Sequence, residues 1–347
     1  MRRHLNTLYV TSQGAYLSKD GANVVVAVDG AERARVPIHT LGGVVGFGRV
    51  ALSPPLLGFC AEEGVTISFL SEHGRFLARV EGPVSGNVLL RREQYRRTDD
   101  PERCAALVRS LVIGKALNQR AVLRRALRDH GERLAPPAAV AALEAAEARL
   151  TDIARRAERP QSTDLLRGLE GEAANVYFAV FDALILIPDE GLRFAGRSRR
   201  PPLDPVNALL SFVYALLVHD VRSALETTGL DPAVGFLHRD RPGRPSLALD
   251  LMEEFRPFFA DRLVLSLINR RQVGAKGFRR MENGACLMTD ELRKAVLVAY
   301  QERKREELRH PYLGEPTTVG LLWHLQAQLL ARHLRGDLDG YPPFVWK

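Results

Sequence analysis

A chain of 347 residues has room for two domains, each able to bury a core. Its 49 Lys plus Arg against 41 Asp plus Glu give 49 − 41 = +8, which suits an anionic partner such as nucleic acid, although a merely basic enzyme has the same balance. Hydrophobic residues at 46% and charged residues at 26% exclude a mainly disordered chain.

The N-terminus, Met1-Arg2-Arg3-His4, leads into a polar, alternating segment without a signal-peptide core. No apolar run approaches the length of a membrane span, so the expected location is the cytoplasm, with no membrane contact. Cys60, Cys104 and Cys286 are odd in number and far apart, which supports neither a disulfide framework nor a thiolate zinc site.

From Asn6 to about Val84 the chain reads as short strands: LYVTSQGAYLSKDG, ANVVVAVDG, ARVPI, VALSP and VTISFL. Turn formers bound each of them. Asp20-Gly21 and Asp29-Gly30 mark hairpin turns, and LLGFCAEEG between Leu56 and Gly64 reads as one short helix stopped by glycine. This predicts a small N-terminal β domain over 1–84. Residues 85–100 are expected to be a linker, opened by the turn-rich run from Glu81 to Gly86.

Beyond the linker the period becomes helical over Pro101–His130, Pro136–Arg159, Thr163–Leu186, Pro205–Thr228, Leu247–Phe259 and Thr289–Arg309. The expected fold is therefore α+β, with the β domain followed by a larger all-α catalytic domain over 101–347. Between these helices lie three cationic loops. The first carries Arg193, Arg197, Arg199 and Arg200, the second Arg239, Arg241 and Arg244, and the third Arg270, Arg271, Lys276, Arg279 and Arg280. Phosphate contacts would use them; solvated loop charge is the competing account of any single run.

Within the helical part, Glu170 falls beside an apolar face built from Leu166, Leu169, Ala173, Val176 and Val180, in register with Ala174, Tyr177 and Phe181. A carboxylate there needs a cation or hydrogen bonds. His238 lies on the second arginine-rich loop. Asp250, Glu253 and Glu254, spaced i, i+3 and i+4, are expected on one helix face, where either a metal ion or Arg256 would relieve their repulsion.

One imidazole with two or three carboxylates is a hard, oxygen-dominated set suited to Mn²⁺ or Mg²⁺. The chain lacks HExxH, a Walker A loop, GxGxxG at a strand-to-helix junction and GxSxG, which removes the usual signals of zincins, P-loop NTPases, dinucleotide enzymes and esterases. The residues alone thus point to a basic, metal-dependent DNA or RNA enzyme.

The opening NTLYVTSQGAYLSKDGANVVV, the segment GPVSGNVLLRREQY, the helix LRGLEGEAANVYF and the run GFLHRDRPGRPSLALDLMEEFRP resemble the CRISPR-associated Cas-one family, the integrases of spacer acquisition. The resemblance covers almost the whole chain. Its last two segments supply Glu, His and Glu in the family's order, at separations of 238 − 170 = 68 and 253 − 238 = 15 residues.

By that resemblance Glu170, His238 and Glu253 are the divalent-metal ligands. Asp250 matches a further acidic position that lies near the metal and assists. The family often carries aspartate where Glu253 stands; Glu254 and Glu172 match no ligand position. The implied reaction is transesterification, in which the 3′-hydroxyl of a short DNA duplex attacks a phosphodiester at the edge of a CRISPR repeat. Water in its place gives endonuclease activity. His238 is implied as ligand, proton donor or both.

The resemblance further implies a homodimer formed through the β domains. Two such dimers would flank a dimer of the small Cas-two protein in a heterohexamer on double-stranded DNA, with a Cas-four type nuclease as an additional associate. Two other readings compete: a non-catalytic DNA-binding protein of the same fold, and an unrelated metallohydrolase. The apolar C-terminal run from Tyr341 to Trp346 could dock on a partner or on its own core.

Overall fold

The computed structural model describes residues 6–72, 74, 76–80, 82, 88–131, 137–198 and 201–346. By contacts the chain falls into one unit of Met1–Ser85 with Arg293–Glu306 and another of Gly86–Leu292 with Glu307–Lys347. Most of the run from Glu81 to Gly86, read as the opening of a linker, lies outside the described residues.

The first unit holds eight strands among its described residues: β1 Asn6–Val10, β2 Ala15–Asp20, β3 Asn23–Val28, β4 Ala31–Pro37, β5 Leu41–Phe47, β6 Val50–Leu52, β7 Thr66–Leu70 and β8 Phe76–Val80. They form two four-stranded sheets, ordered β1-β5-β7-β8 and β4-β3-β2-β6. The first is parallel except for β7/β8, and in the second β2/β6 alone is parallel.

Asp29 and Gly30, with φ 52° and 78°, make the tight turn between β3 and β4 that the Asp-Gly pair predicts. Helix α1, Pro54–Glu62, starts where Ser53 caps the Leu56 N–H behind Pro54, a preorganised first turn. Its Leu56 and Cys60 join Leu17, Val24, Val26, Val44 and Ile67 in one core.

The second unit is helical: α2 Val88–Asp99, α3 Pro101–His130, α4 Pro137–Ala157, α5 Thr163–Ala179, α6 Pro205–Thr228, α7 Ser246–Met252, a π-helical turn Arg256–Asp261 and α8 Arg262–Asn269. The chain continues through β9 Phe278–Arg280, β10 Cys286–Met288, α9 Asp290–Arg305, β11 Glu307–Arg309, β12 Pro316–Thr318 and α10 Leu322–Arg335. The strand-rich N-terminal region and the helical remainder match the expected α+β class. Two short antiparallel pairs, β9/β10 and β11/β12, interrupt the helical part, and α10 adds to the expected helices.

Residues 85–100 require correction, since 88–99 form α2 and not a linker. Leu90 and Gln94 are buried, and the Gln94 side chain donates to the Asp231 and Val234 carbonyls and accepts from the Asp231 N–H. A second difference from the expected span 101–347 lies at α9, where Arg293–Glu306, most of that helix and the residue after it, groups with the strands. There Gln301 and Arg305 donate to the Thr7 carbonyl and the Asn6 side chain.

Where an Asp-Pro pair opens a helix, its start agrees with the sequence. Asp100 caps the Glu102 and Arg103 N–H groups of α3, and Asp204 caps the Asn207 N–H of α6. Contrary to the sequence expectation, α6 is long and apolar enough to cross a membrane. Val206, Leu209, Val213, Leu217 and Val221 along it are fully buried within the protein. Cys60, Cys104 and Cys286 are buried free thiols.

Asp204→Ala removes the acceptor of the Asn207 N–H, 2.7 Å away. It should lower the unfolding free energy by about 1 kcal/mol, read as a shift in urea midpoint at unchanged slope.

Candidate active site

The expected helix over Leu247–Phe259 stops early. Pro257 has no N–H to give and its ring opposes the carbonyl of Glu253 four residues back, so α7 ends at Met252 with Glu253 as its C-cap. A π-helical turn follows over Arg256–Asp261. This break corrects the idea that Asp250, Glu253 and Glu254 share one face. All three are buried, but each serves a different neighbour.

Asp250 gathers the loop that carries His238. Its Oδ2 accepts the backbone N–H groups of Phe236 at 2.6 Å and Leu237 at 2.9 Å, and its Oδ1 accepts the N–H of His238 at 2.8 Å. His238 Nδ1 lies 2.7 Å from the same Oδ1. Gly235 permits this approach, since a Cβ there would stand 2.7 Å from Ser246 Cβ and 2.9 Å from Asp250 Oδ2.

Outside the loop, Arg167 of α5 donates to the Leu237 and Phe236 carbonyls, and Asp164 pairs with both Arg167 and Arg239. The loop is thus held from both sides. An ionised carboxylate accepts but does not donate, so a neutral His238 carries its proton on Nδ1 and its lone pair on Nε2.

Glu253 faces a different set. Its Oε1 lies 2.8 Å from Arg256 Nη1, and its Oε2 lies 2.7 Å from Nζ of Lys115, a residue of α3. The same ammonium contacts Glu170 Oε1 from α5. Burial by itself would raise the Glu253 carboxyl, but Arg256, Lys115 and His238 outweigh it and bring it well below the ordinary carboxylate range. Burial likewise works against charge on Lys115, and Glu253 with Glu170 reverses that and holds it as ammonium. Sequence reasoning missed Lys115, whose only signal is a lone cation in the apolar stretch SLVIGKALNQ.

Glu254 points the other way, toward the C-terminal segment. Its Oε2 accepts the Phe344 N–H at 2.8 Å and Gln326 Nε2 at 3.0 Å. Asn118 of α3 donates to the Glu254 and Phe344 carbonyls and accepts the Trp346 N–H. Phe344 packs on Phe255 and Phe258, Trp346 lies under Arg262, and Pro343 fits against Gly114. The segment therefore docks on its own core. Burial lifts the Glu254 carboxyl to about 8, against the Phe344 N–H, Tyr341 and Gln326, which pull it down.

Donor chemistry permits a divalent cation. Glu253 Oε2 is buried and has no aligned hydrogen bond, Glu170 contributes a half-buried carboxylate, and the Nε2 of His238 completes a hard set. Both oxygens of Asp250 are occupied by protein partners, Oδ2 by two N–H groups and Oδ1 by the His238 N–H and imidazole. Among the described residues no three such side chains converge as a closed ligand group; the Lys115 ammonium joins the two carboxylates instead.

The cationic loops divide. Arg197 is partly buried, bonded to Asn207 and stacked over Tyr214, which makes it a structural residue in this arrangement. Arg239, Arg241, Arg270 and Arg271 are exposed and Arg244 half-buried, while Arg199 and Arg200 lie outside the described residues.

The sequence profile of a family described as CRISPR associated protein Cas1 matches residues 8–302. A CRISPR-associated endonuclease Cas1 of Chlorobaculum tepidum is 57% identical over 347 residues, covering 100% of both chains. A Cas4/Cas1 exonuclease–endonuclease fusion of Geobacter sulfurreducens is 38% identical, covering 97% of this chain and 60% of the fusion. Among solved structures, a Cas1 protein from Thermotoga maritima superposes with TM-score 0.80 at 26% identity, covering 96% of this chain and 97% of that one.

The raised Glu254 carboxyl predicts a pH effect of definite sign. The unfolded chain gives up this proton near 4.5 and the folded chain near 8, so the folded state binds more protons between these values and stability falls as pH rises through them. Glu254→Gln removes this decline. Its urea midpoint, relative to wild type, should therefore be higher at pH 8.5 than at pH 5.5.

Proposed function

Because the chain belongs to the CRISPR-associated Cas1 family, we propose that this DNA-acting nuclease is an integrase, joining the 3′-hydroxyl of a short DNA duplex to a phosphodiester at the edge of a CRISPR repeat. Water in place of the hydroxyl gives cleavage. One observation carries the reading at the level of this chain: a buried carboxylate, Glu253, shares the Lys115 ammonium with Glu170, and the His238 loop beside them is fixed by Asp250.

Glu170, Glu253 and the Nε2 of His238 are the groups to hold a divalent cation, Mn²⁺ or Mg²⁺. When bound, such an ion supplies charge that stabilises the attacked phosphate and the leaving oxygen. Asp250 keeps the imidazole lone pair on Nε2, where His238 serves as ligand or takes a proton and returns it. Arg256 and Lys115 favour the ionised form of Glu253. The exposed Arg239, Arg241, Arg270 and Arg271, with Arg244, offer positive charge to phosphates, so binding weakens steeply with salt.

The family membership also supports a homodimer, a Cas2 dimer as the spacing scaffold in a heterohexamer on double-stranded DNA, and a cytoplasmic location. The existence of a Cas4/Cas1 fusion among the relatives supports association with a Cas4-type nuclease.

The test is strand joining of a short duplex into a repeat-bearing plasmid with Cas2, in Mn²⁺, in Mg²⁺ and in chelator. Glu170→Ala, His238→Ala and Glu253→Ala should abolish joining while duplex binding in a gel shift persists. Asp250→Asn places an amide against donors and should cost about 10- to 100-fold. Joining that survives chelator, or any of the three alanine variants, would overturn the proposal.

A further inference from the structure

The Lys115 ammonium stands where the two carboxylates meet, and the reaction described above gives it only an electrostatic part. Its side chain is 5% exposed, and it reaches Glu170 from one side and Glu253 Oε2, at 2.7 Å, from the other. Glu170, Glu253, Lys115 and Arg256 together sum to zero formal charge. Two acids and two bases thus form a neutral group around the buried Glu253 and Lys115, the condition under which such charges are tolerated in an interior. The Arg256 side chain is 17% exposed and takes the other oxygen of Glu253 at 2.8 Å.

The two cations differ in how easily they yield. Arginine presents a rigid planar fork, whereas the lysine head is a single point charge at the end of a flexible four-carbon stem. Of the two, only Lys115 contacts both carboxylates. A divalent ion ligated by the same oxygens would lie against the ammonium, and like charges in contact in a buried setting repel strongly.

We propose that Lys115 is the resident counter-cation of the Glu170/Glu253 pair, holding the carboxylates assembled before metal arrives, and that a divalent ion binds by displacing it. This rests on the reading of Glu170 and Glu253 as metal ligands. Lys115 is accordingly a positioning residue that sets metal affinity by competition. It keeps two like charges together in the empty site and lowers the affinity of the filled one.

The test is Mn²⁺ binding to the full chain, by calorimetry and by the free-ion electron paramagnetic resonance signal, for wild type, Lys115→Met, Lys115→Arg and Glu170→Gln. Lys115→Met removes the competitor and should bind Mn²⁺ at least about tenfold more tightly, a modest return on one buried unit charge. Its melting temperature should be lower than wild type without metal and rise further on Mn²⁺ addition. Lys115→Arg substitutes a less yielding cation and should bind Mn²⁺ more weakly.

Opposite signs for the two lysine variants are the expected result; a lysine that merely supports the fold would shift both the same way. If both variants weaken binding or leave it unchanged while Glu170→Gln abolishes it, the competition is wrong and the ligand reading stands. Unaltered binding by Glu170→Gln would remove the ligand reading and this proposal with it. If Lys115→Met does not fold without metal, the Lys115→Arg titration alone decides, since tighter or equal binding there overturns the proposal.

Discussion

Two carboxylates can occupy one buried place only if cations are placed between and beside them. Glu253 lies almost wholly inside the protein, and without Lys115 and Arg256 the cost of its charge would be met by protonation. Much of the second unit follows from this requirement. Helix α3 delivers Lys115 from its middle, α5 delivers Glu170 and Arg167, and the proline-broken end of α7 turns Glu253 toward them and Glu254 away. The π-helical turn after it begins with Arg256 itself, a placement in keeping with the tendency of such turns to occur at functional sites.

Around that charged centre the protein spends its hydrogen bonds on backbone segments that lack regular structure. The loop before α7 has no sheet or helix to satisfy its N–H groups, and Asp250 takes three of them together with the imidazole of His238. Gln94 does the same for the stretch from Asp231 to Val234. Asn118 and Gln326 do it for the C-terminal segment. Each of these side chains is fully buried, so each satisfies groups that would otherwise be costly to bury.

What could be read in the sequence follows from which signals are local. Helices α3 and α6 began where expected because an aspartate cap and a proline at the first helical position act within four residues. Strand β5 is not signalled because LGGVVGF carries three glycines, poor strand formers; the strand sits between β1 and β7, where space for a Cβ is limited at Gly43 by Thr66 and at Gly46 by Val50. Helix α2 passed for a linker because its charge masks the single buried turn of Leu90 and Gln94. In the proposed site, Glu170, His238 and Glu253 are singled out by family resemblance and chain order. Lys115 is not, since its partners lie 55 and 138 residues away, at Glu170 and Glu253. The separate destinations of Asp250, Glu253 and Glu254 were hidden by assuming a helix that Pro257 in fact ends.

The docking of the C-terminal segment also has a meaning in time. The Phe344 N–H that completes the partners of Glu254 is 90 residues further along the chain. During synthesis α3, α5 and α7 therefore leave the ribosome well before the segment that covers them. Until it arrives, the Asn118 amide lacks the Phe344 and Trp346 backbone partners, and Phe255 and Phe258 lack the aromatic rings that cap them. The order of translation thus builds the wall behind the charged cluster after the cluster itself, so a nascent chain holds the acidic residues well before it holds their finished support.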